Sequence, residues 1–131
     1  MRRYTDYLKT RADNGILSFG LGDWYDYGDF RAGFSRNTPV PLVATAHYYM
    51  TVMYLIKAAR MVGNEFDVRY YSSLAHDIML AFNKRFLDSN TAQYGTGSQA
   101  SNALPIFLQM TQSTGDKGDY TPDASLTAKV L

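Results

Sequence analysis

The stretch Leu42–Leu87, LVATAHYYMTVMYLIKAARMVGNEFDVRYYSSLAHDIMLAFNKRFL, decides the fold. From Leu42 to Val62 apolar residues recur at helical spacing on two faces. Leu42, Ala46, Tyr49, Met53 and Ile56 follow one; Val43, Met50, Tyr54, Ala58 and Met61 follow the other. A helix that is apolar nearly all round is buried on most of its sides. Thr38 is placed to cap it, and Pro41 fits its first turn, where a missing N–H is harmless. Lys57 and Arg60 stand near its end, where positive charge suits the helix dipole. From Phe66 to Leu87 the pattern changes. Phe66, Tyr70, Leu74, Ile78, Ala81, Phe82 and Phe86 make a single stripe, and Asp67, Arg69, Ser72, Ser73, His76, Asp77, Asn83 and Lys84 fall mostly elsewhere. His76 and Asp77 read as solvated surface. Only Gly63-Asn64-Glu65 joins the two helices, so they are antiparallel neighbours. A buried helix shielded by a one-sided partner is the unit of two-layered helical toroids. The fold class expected is therefore all-α: antiparallel helical hairpins forming part of a two-layered toroid.

Upstream lies Leu17–Phe30, LSFGLGDWYDYGDF, which holds the only tryptophan and three of the eleven aspartates. Gly20, Gly22 and Gly28 allow the backbone positive φ and close approach to a ligand. Aromatic rings present flat apolar faces to sugar C–H groups, and carboxylates accept from sugar hydroxyls. The competing reading is a surface loop whose rings pin it to the body. The whole segment from Ile16 to Val40 shows no sustained helical period, and connections of that length are functional or disordered; its aromatic content argues against disorder. Asp23, Asp26 and Asp29 recur every third residue, whereas a calcium loop needs ligands at alternate positions and a closing glutamate. No metal and no cofactor are called for.

Elsewhere the chain reads as further helices. Residues 1 to about 12 make an amphipathic helix with Tyr4, Tyr7, Leu8 and Arg11 along one face, ended by Asn14 or Gly15 in the left-handed conformation. Asp88 to Gly95 is a turn followed by a short extended piece. Ser98 caps a third apolar helix from Ala100 to about Met110, with Ala103, Leu104, Phe107, Leu108 and Met110 buried and Pro105 kinking it. Thr111 to Asp119 is loop, and Thr121-Pro122-Asp123 opens a fourth helix. His47 is either a ligand-binding imidazole or a hydrogen-bonded histidine at the core's rim. Gln99 is either a surface residue near a cap or a polar group at the mouth of a cavity.

The totals narrow the class. A chain of 131 residues supports one domain with a real core, and 46% apolar against 19% charged residues suits a globular protein. A net charge of +1 provides no field for nucleic acid or an anionic membrane. There is no cysteine for a disulfide or a thiolate zinc site, no apolar run of about eighteen residues, and no signal-peptide core in the first residues. The chain holds a single glutamate, Glu65, so no mechanism that needs two is complete within it. Both ends read as cut: the chain starts inside one helical pattern and stops inside another.

Five segments appear in order: Gly20-Leu21-Gly22-Asp23-Trp24, Pro39–Ala46 followed by aromatics, Ala81-Phe82-Asn83-Lys84-Arg85-Phe86, Tyr94-Gly95, and Ser98–Leu104. In these the chain resembles the catalytic domain of bacterial α-L-rhamnosidases, the glycoside hydrolase family 78 type, over essentially all of its length but only as a middle portion of that domain. The resemblance implies inner helices surrounding a rhamnose pocket and an inverting mechanism with one glutamic acid as acid and another activating water. It implies a pocket wall from the Gly-Asp-Trp loop, with Trp24 on the sugar's apolar face and Asp23 on a hydroxyl. The family's acid and base motifs lie outside this stretch, and Glu65, in a tight outer connection, is given no catalytic part. The substrate-binding candidates are Asp23, Trp24, Tyr25, Asp26, His47 and Gln99, with no catalytic residue. The expected partners are a rhamnose-containing glycan or glycoside and the remainder of the domain, with self-association through exposed apolar surface. A periplasmic or extracellular location follows from the same resemblance. The alternatives are another (α/α)6 glycosidase, such as an unsaturated glucuronyl hydrolase that would need Arg31 and Arg36 for its acidic sugar, and a self-contained helical interaction module.

Overall fold

The structure, a computed structural model, describes residues 1–26, 28–33, 35–111 and 128. Tyr27 and the helix expected to open at Thr121-Pro122-Asp123 lie outside them. In chain order the elements are α1 (Arg2–Arg11), α2 (Val40–Met61), α3 (Glu65–Phe86), β1 (Leu87–Asp88), β2 (Gln93–Tyr94) and α4 (Gln99–Phe107). The helix α2 is the centre, touching each of the other three helices. No described helix is long and apolar enough to cross a membrane.

Helices α2 and α3 form the expected antiparallel hairpin. Asn64 caps α3 by accepting the Asp67 N–H at 3.0 Å, which satisfies one of the donors a helix start leaves open. Leu42, Ala46, Tyr49 and Ile56 are buried as their spacing requires. The second buried face of α2 differs from the one expected. It is Thr45, Tyr48, Val52, Leu55 and Ala59 that are covered, while Tyr54 and Met61 are exposed. On α3 the stripe holds at Ile78 and Phe82 but is displaced by one position nearer the start. Tyr71 and Ala75 are buried; Phe66 and Tyr70 stack on each other in the open.

The displacement has a cause in α1. Of the face expected for this helix, Leu8 is buried together with Thr5, while Tyr4 and Tyr7 are exposed. From there Asp6 accepts a 2.8 Å hydrogen bond from the Tyr71 hydroxyl, Lys9 donates at 2.7 Å to Tyr70, and Arg2 pairs with Asp67. Residues Asn14 and Gly15 do adopt positive φ. They act one step later than a helix cap, as a two-residue turn in which Asp13 and Ile16 exchange backbone hydrogen bonds at 2.9 Å; paired positive φ is what a tight hairpin needs.

The short extended piece after α3 is the second strand of a hairpin in which Leu87 pairs with Tyr94 and Asp88 with Gln93. Tyr94 is buried, and its hydroxyl donates to the Asn83 amide oxygen, while that amide's nitrogen donates to the carbonyls of Met79 and Met110. One asparagine thus ties α3, the hairpin and the chain beyond α4. In α4, Pro105 and Ser101 are buried, but Ala103 and Phe107 are exposed, contrary to the burial expected for both. Ser101 and Pro105 lie one turn apart on the covered face, and Ala103 and Phe107, each two positions further along, fall on the other side of the same helix.

Three buried phenols make the fold sensitive to alkali. Burial, reinforced by the nearby Tyr70 and Asp6, pushes the Tyr48 phenol up to about 12. Burial and the hydrogen bond to Asp6 push Tyr71 up to about 12 as well, and burial alone raises Tyr94 further. The folded state therefore holds these protons more tightly than the unfolded chain, whose phenols titrate near ~10. Stability from this source is complete below about pH 10 and is lost as pH rises towards 12. Thermal midpoints should fall steadily across that window, with phenolate absorbance from these residues appearing only on unfolding. A midpoint independent of pH up to 12 would contradict the burial.

Candidate functional site

The aromatic loop is laid along the first turns of α2. Leu17 is buried and fastened by its N–H to the Thr45 hydroxyl at 3.0 Å. From there the chain runs back towards the start of α2. Gly20 passes over Ala44, and Gly22 lies against Val40 and Ser35. A Cβ on Gly22, which has φ of +68°, would stand 2.8 Å from the Ser35 side chain and 2.9 Å from Val40. The glycine of the Gly-Asp-Trp motif is thus required by both conformation and space. Gly28 differs: it has no positive φ, and its demand is spatial, because Phe30 covers it.

Helices α2 and α4 begin side by side at this loop. Gly95 brings the β-hairpin's exit close to Pro39 and Leu42, leaving no room there for a Cβ, and the Thr96 hydroxyl donates to the Asn37 carbonyl. Thr38 does not cap α2, whose cap position, Pro39, offers no side-chain acceptor. Its buried hydroxyl instead bridges the Ser98 hydroxyl at 2.8 Å and the Asp23 carboxylate at 3.3 Å. Ser98 caps α4 as expected, accepting from the Ser101 N–H at 3.2 Å, and lies 2.8 Å from the Ser101 hydroxyl. Each hydroxyl has one proton and the carboxylate is an acceptor only. With the Ser98 proton directed to the Ser101 hydroxyl, the Thr38 proton is shared between the Ser98 hydroxyl and the Asp23 carboxylate. Ser35 completes the cluster, donating to the Thr38 carbonyl at 2.6 Å and accepting from the Asp23 N–H at 3.3 Å.

Beyond Asp23 the chain turns outward. Trp24 is 54% and Tyr25 70% exposed, and Tyr25 holds φ of +71°, a conformation that bulky residues rarely adopt. The turn is closed behind them. The Tyr25 N–H donates to the Gly33 carbonyl at 3.2 Å, and the Gly33 N–H donates to the Asp26 carbonyl at 3.0 Å. Asp26, only 9% exposed, accepts from the N–H groups of Arg36 and Asn37 at 2.8 and 2.6 Å and from the Asn37 side-chain amide at 2.6 Å. Its carboxylate thus holds the turn. Arg36 lays its guanidinium over the Phe30 ring at 4.7 Å.

Of the six candidates the structure brings Asp23, Trp24, Tyr25 and Asp26 into one turn. Gln99 is exposed at the first position of α4, next to the Ser98 cap. His47 is exposed on α2, one turn past the Ala44 that underlies Gly20. Glu65 is exposed at the first position of α3, beyond the opposite end of α2. Ser35, Thr38 and Ser101 were not among the candidates. The Thr38–Ser98 contact spans sixty positions of sequence, and only the serine's cap signature was visible locally.

An inner helix shielded by an antiparallel partner, with an aromatic turn at the inner helix's start, is the arrangement of helical-hairpin glycosidases. The chain belongs to the bacterial α-L-rhamnosidase six-hairpin glycosidase domain family, whose family model matches residues 1–130, and its hairpins are part of an (α/α)6 toroid. Among solved structures it is similar to the α-L-rhamnosidase of Dictyoglumus thermophilum, with 34% identity and a TM-score of 0.76 over 85% of this chain. The chain spans 13% of that protein's length. No curated protein matches it.

Proposed function

We propose that this chain supplies one wall of the rhamnose site in an enzyme that removes terminal α-L-rhamnose from glycosides or polysaccharides. Asp23 accepts from a sugar hydroxyl, and Trp24 and Tyr25 offer ring faces. Asp26 keeps the turn in register, and Gln99 and His47 stand at the margin. The observation that carries this reading is the turn itself: two exposed rings and a half-buried carboxylate fastened where α2 and α4 begin together. Free energy spent on fixing exposed rings is recovered when a ligand stacks on them.

The reaction is inverting, and its acid and base come from glutamates beyond these 131 residues. An inverting pair stands about 6.5–9.5 Å apart around the scissile bond. Glu65 is separated from the aromatic turn by the 22 residues of α2, roughly 30 Å at helical rise. The chain alone is therefore inactive, and the rest of the domain covers its exposed apolar residues, among them Met61, Val62, Phe66 and Phe107. Those uncovered residues weigh against a self-contained module. The engagement of Arg36 with Phe30 weighs against a site for an acidic sugar.

Titration of the Trp24 fluorescence of this chain tests the proposal, because the single tryptophan reports from the site itself. Saturable change with methyl α-L-rhamnoside, and none with methyl α-D-glucuronide, is the outcome the reading requires. Equal responses to both, or no response to either, would remove the turn from rhamnose recognition.

A further inference from the structure

We propose that Tyr25 contacts the group attached to rhamnose, stacking on the flat apolar face of an aromatic aglycone or of the next sugar; this rests on the rhamnose reading of the turn. Three observations carry it. The first is conformational: Tyr25 occupies φ of +71°, where Gly or Asn would sit without strain. A bulky ring held there is a local cost sustained by its surroundings, and such outliers gather at ligand sites. The second is that the surroundings do enforce it. The Tyr25 N–H, both backbone groups of Gly33 and the Asp26 carboxylate close the turn around it.

The third observation is position. A terminal sugar enters its site first, and the remainder of the substrate trails towards solvent. Trp24 directly follows Asp23, which is bound into the Thr38–Ser98 cluster, and it is the less exposed of the two rings. Tyr25 is one residue further out, at 70% exposure. Trp24 is thus matched to the rhamnose and Tyr25 to what protrudes from it. Aromatic and sugar leaving groups share the chemistry that such a ring recognises, a flat face of C–H or π character.

The experiment measures Kd on the 131-residue protein for methyl α-L-rhamnoside, phenyl α-L-rhamnoside and a rhamnosyl-glucose disaccharide, using Trp24 fluorescence. Phenyl rhamnoside should bind about tenfold more tightly than methyl rhamnoside. Tyr25→Asn should erase that difference by weakening phenyl rhamnoside binding about tenfold more than methyl rhamnoside binding, and Tyr25→Phe should retain the difference. The Asn variant should also melt no lower than the native protein, since the left-handed position accepts Asn. A disaccharide that behaves like the phenyl compound assigns the platform to a sugar, and one that behaves like the methyl compound assigns it to an aromatic aglycone. Equal affinity for phenyl and methyl compounds in the native protein would overturn the inference and leave the rhamnose reading standing. So would equal weakening of both, or a lowered melting point with loss of both, in Tyr25→Asn. Failure of every rhamnoside to bind the native protein would overturn the rhamnose reading and this inference together.

Discussion

Trp24→Ala lowers kcat/KM for an aryl α-L-rhamnoside about 100-fold in the enzyme that carries this chain, roughly 2.7 kcal/mol of transition-state stabilisation. Its thermal midpoint should move by no more than about 2 °C. The two effects separate because the indole is more than half exposed. Its removal takes little packing from the core, but it takes the largest apolar face from the site. Steady-state kinetics beside a melting curve checks both halves. Kinetics within about twofold of the native enzyme would remove Trp24 from the site. A large fall in midpoint would make it a structural residue.

Asp26→Ala is expected to destabilise this chain by about 2–3 kcal/mol, lowering the thermal midpoint by roughly 10 °C. The same change should abolish the Trp24 fluorescence response to rhamnosides. The carboxylate accepts three hydrogen bonds that fix Arg36 and Asn37 against the turn, and alanine leaves those donors unmatched in a largely covered position. Asp26→Asn should recover about half of the stability. Its oxygen can serve the two backbone N–H groups, and the Asn37 amide can rotate to accept from the new NH2. Recovery of ligand response in step with stability would identify Asp26 as a positioning residue. A variant as stable as the native chain that still fails to bind would show direct contact with the sugar.

The particular mismatches between sequence and structure have physical origins. Periodicity placed Phe66 and Tyr70 in the core of α3, where Tyr71 and Ala75 are found. With aromatic residues at both 70 and 71, a helical period does not choose between adjacent stripes. The choice is made by α1, whose Asp6 receives the Tyr71 hydroxyl. Thr38 looked like a cap because it precedes a helix, but its hydroxyl finds Ser98 and Asp23, both far away in the chain. Asp26 looked like a ligand contact because carboxylates beside rings bind sugars, and nothing local reveals that Arg36 and Asn37 turn their N–H groups towards it. Gly22 could be read as a point of close approach, yet the neighbours it approaches, Ser35 and Val40, emerge only on folding.

By itself the sequence determined the helical hairpin, the cap at Ser98, the aromatic turn and the family. These follow from short-range spacing and from motifs that survive being read one residue after another. Only the tertiary structure decided which face of each helix is covered, that α2 and α4 begin together, and which carboxylate joins the Thr38–Ser98 cluster and which holds the turn. Burial and hydrogen bonding are settled by partners distant in sequence, and a local pattern leaves several such partners open until the chain has packed.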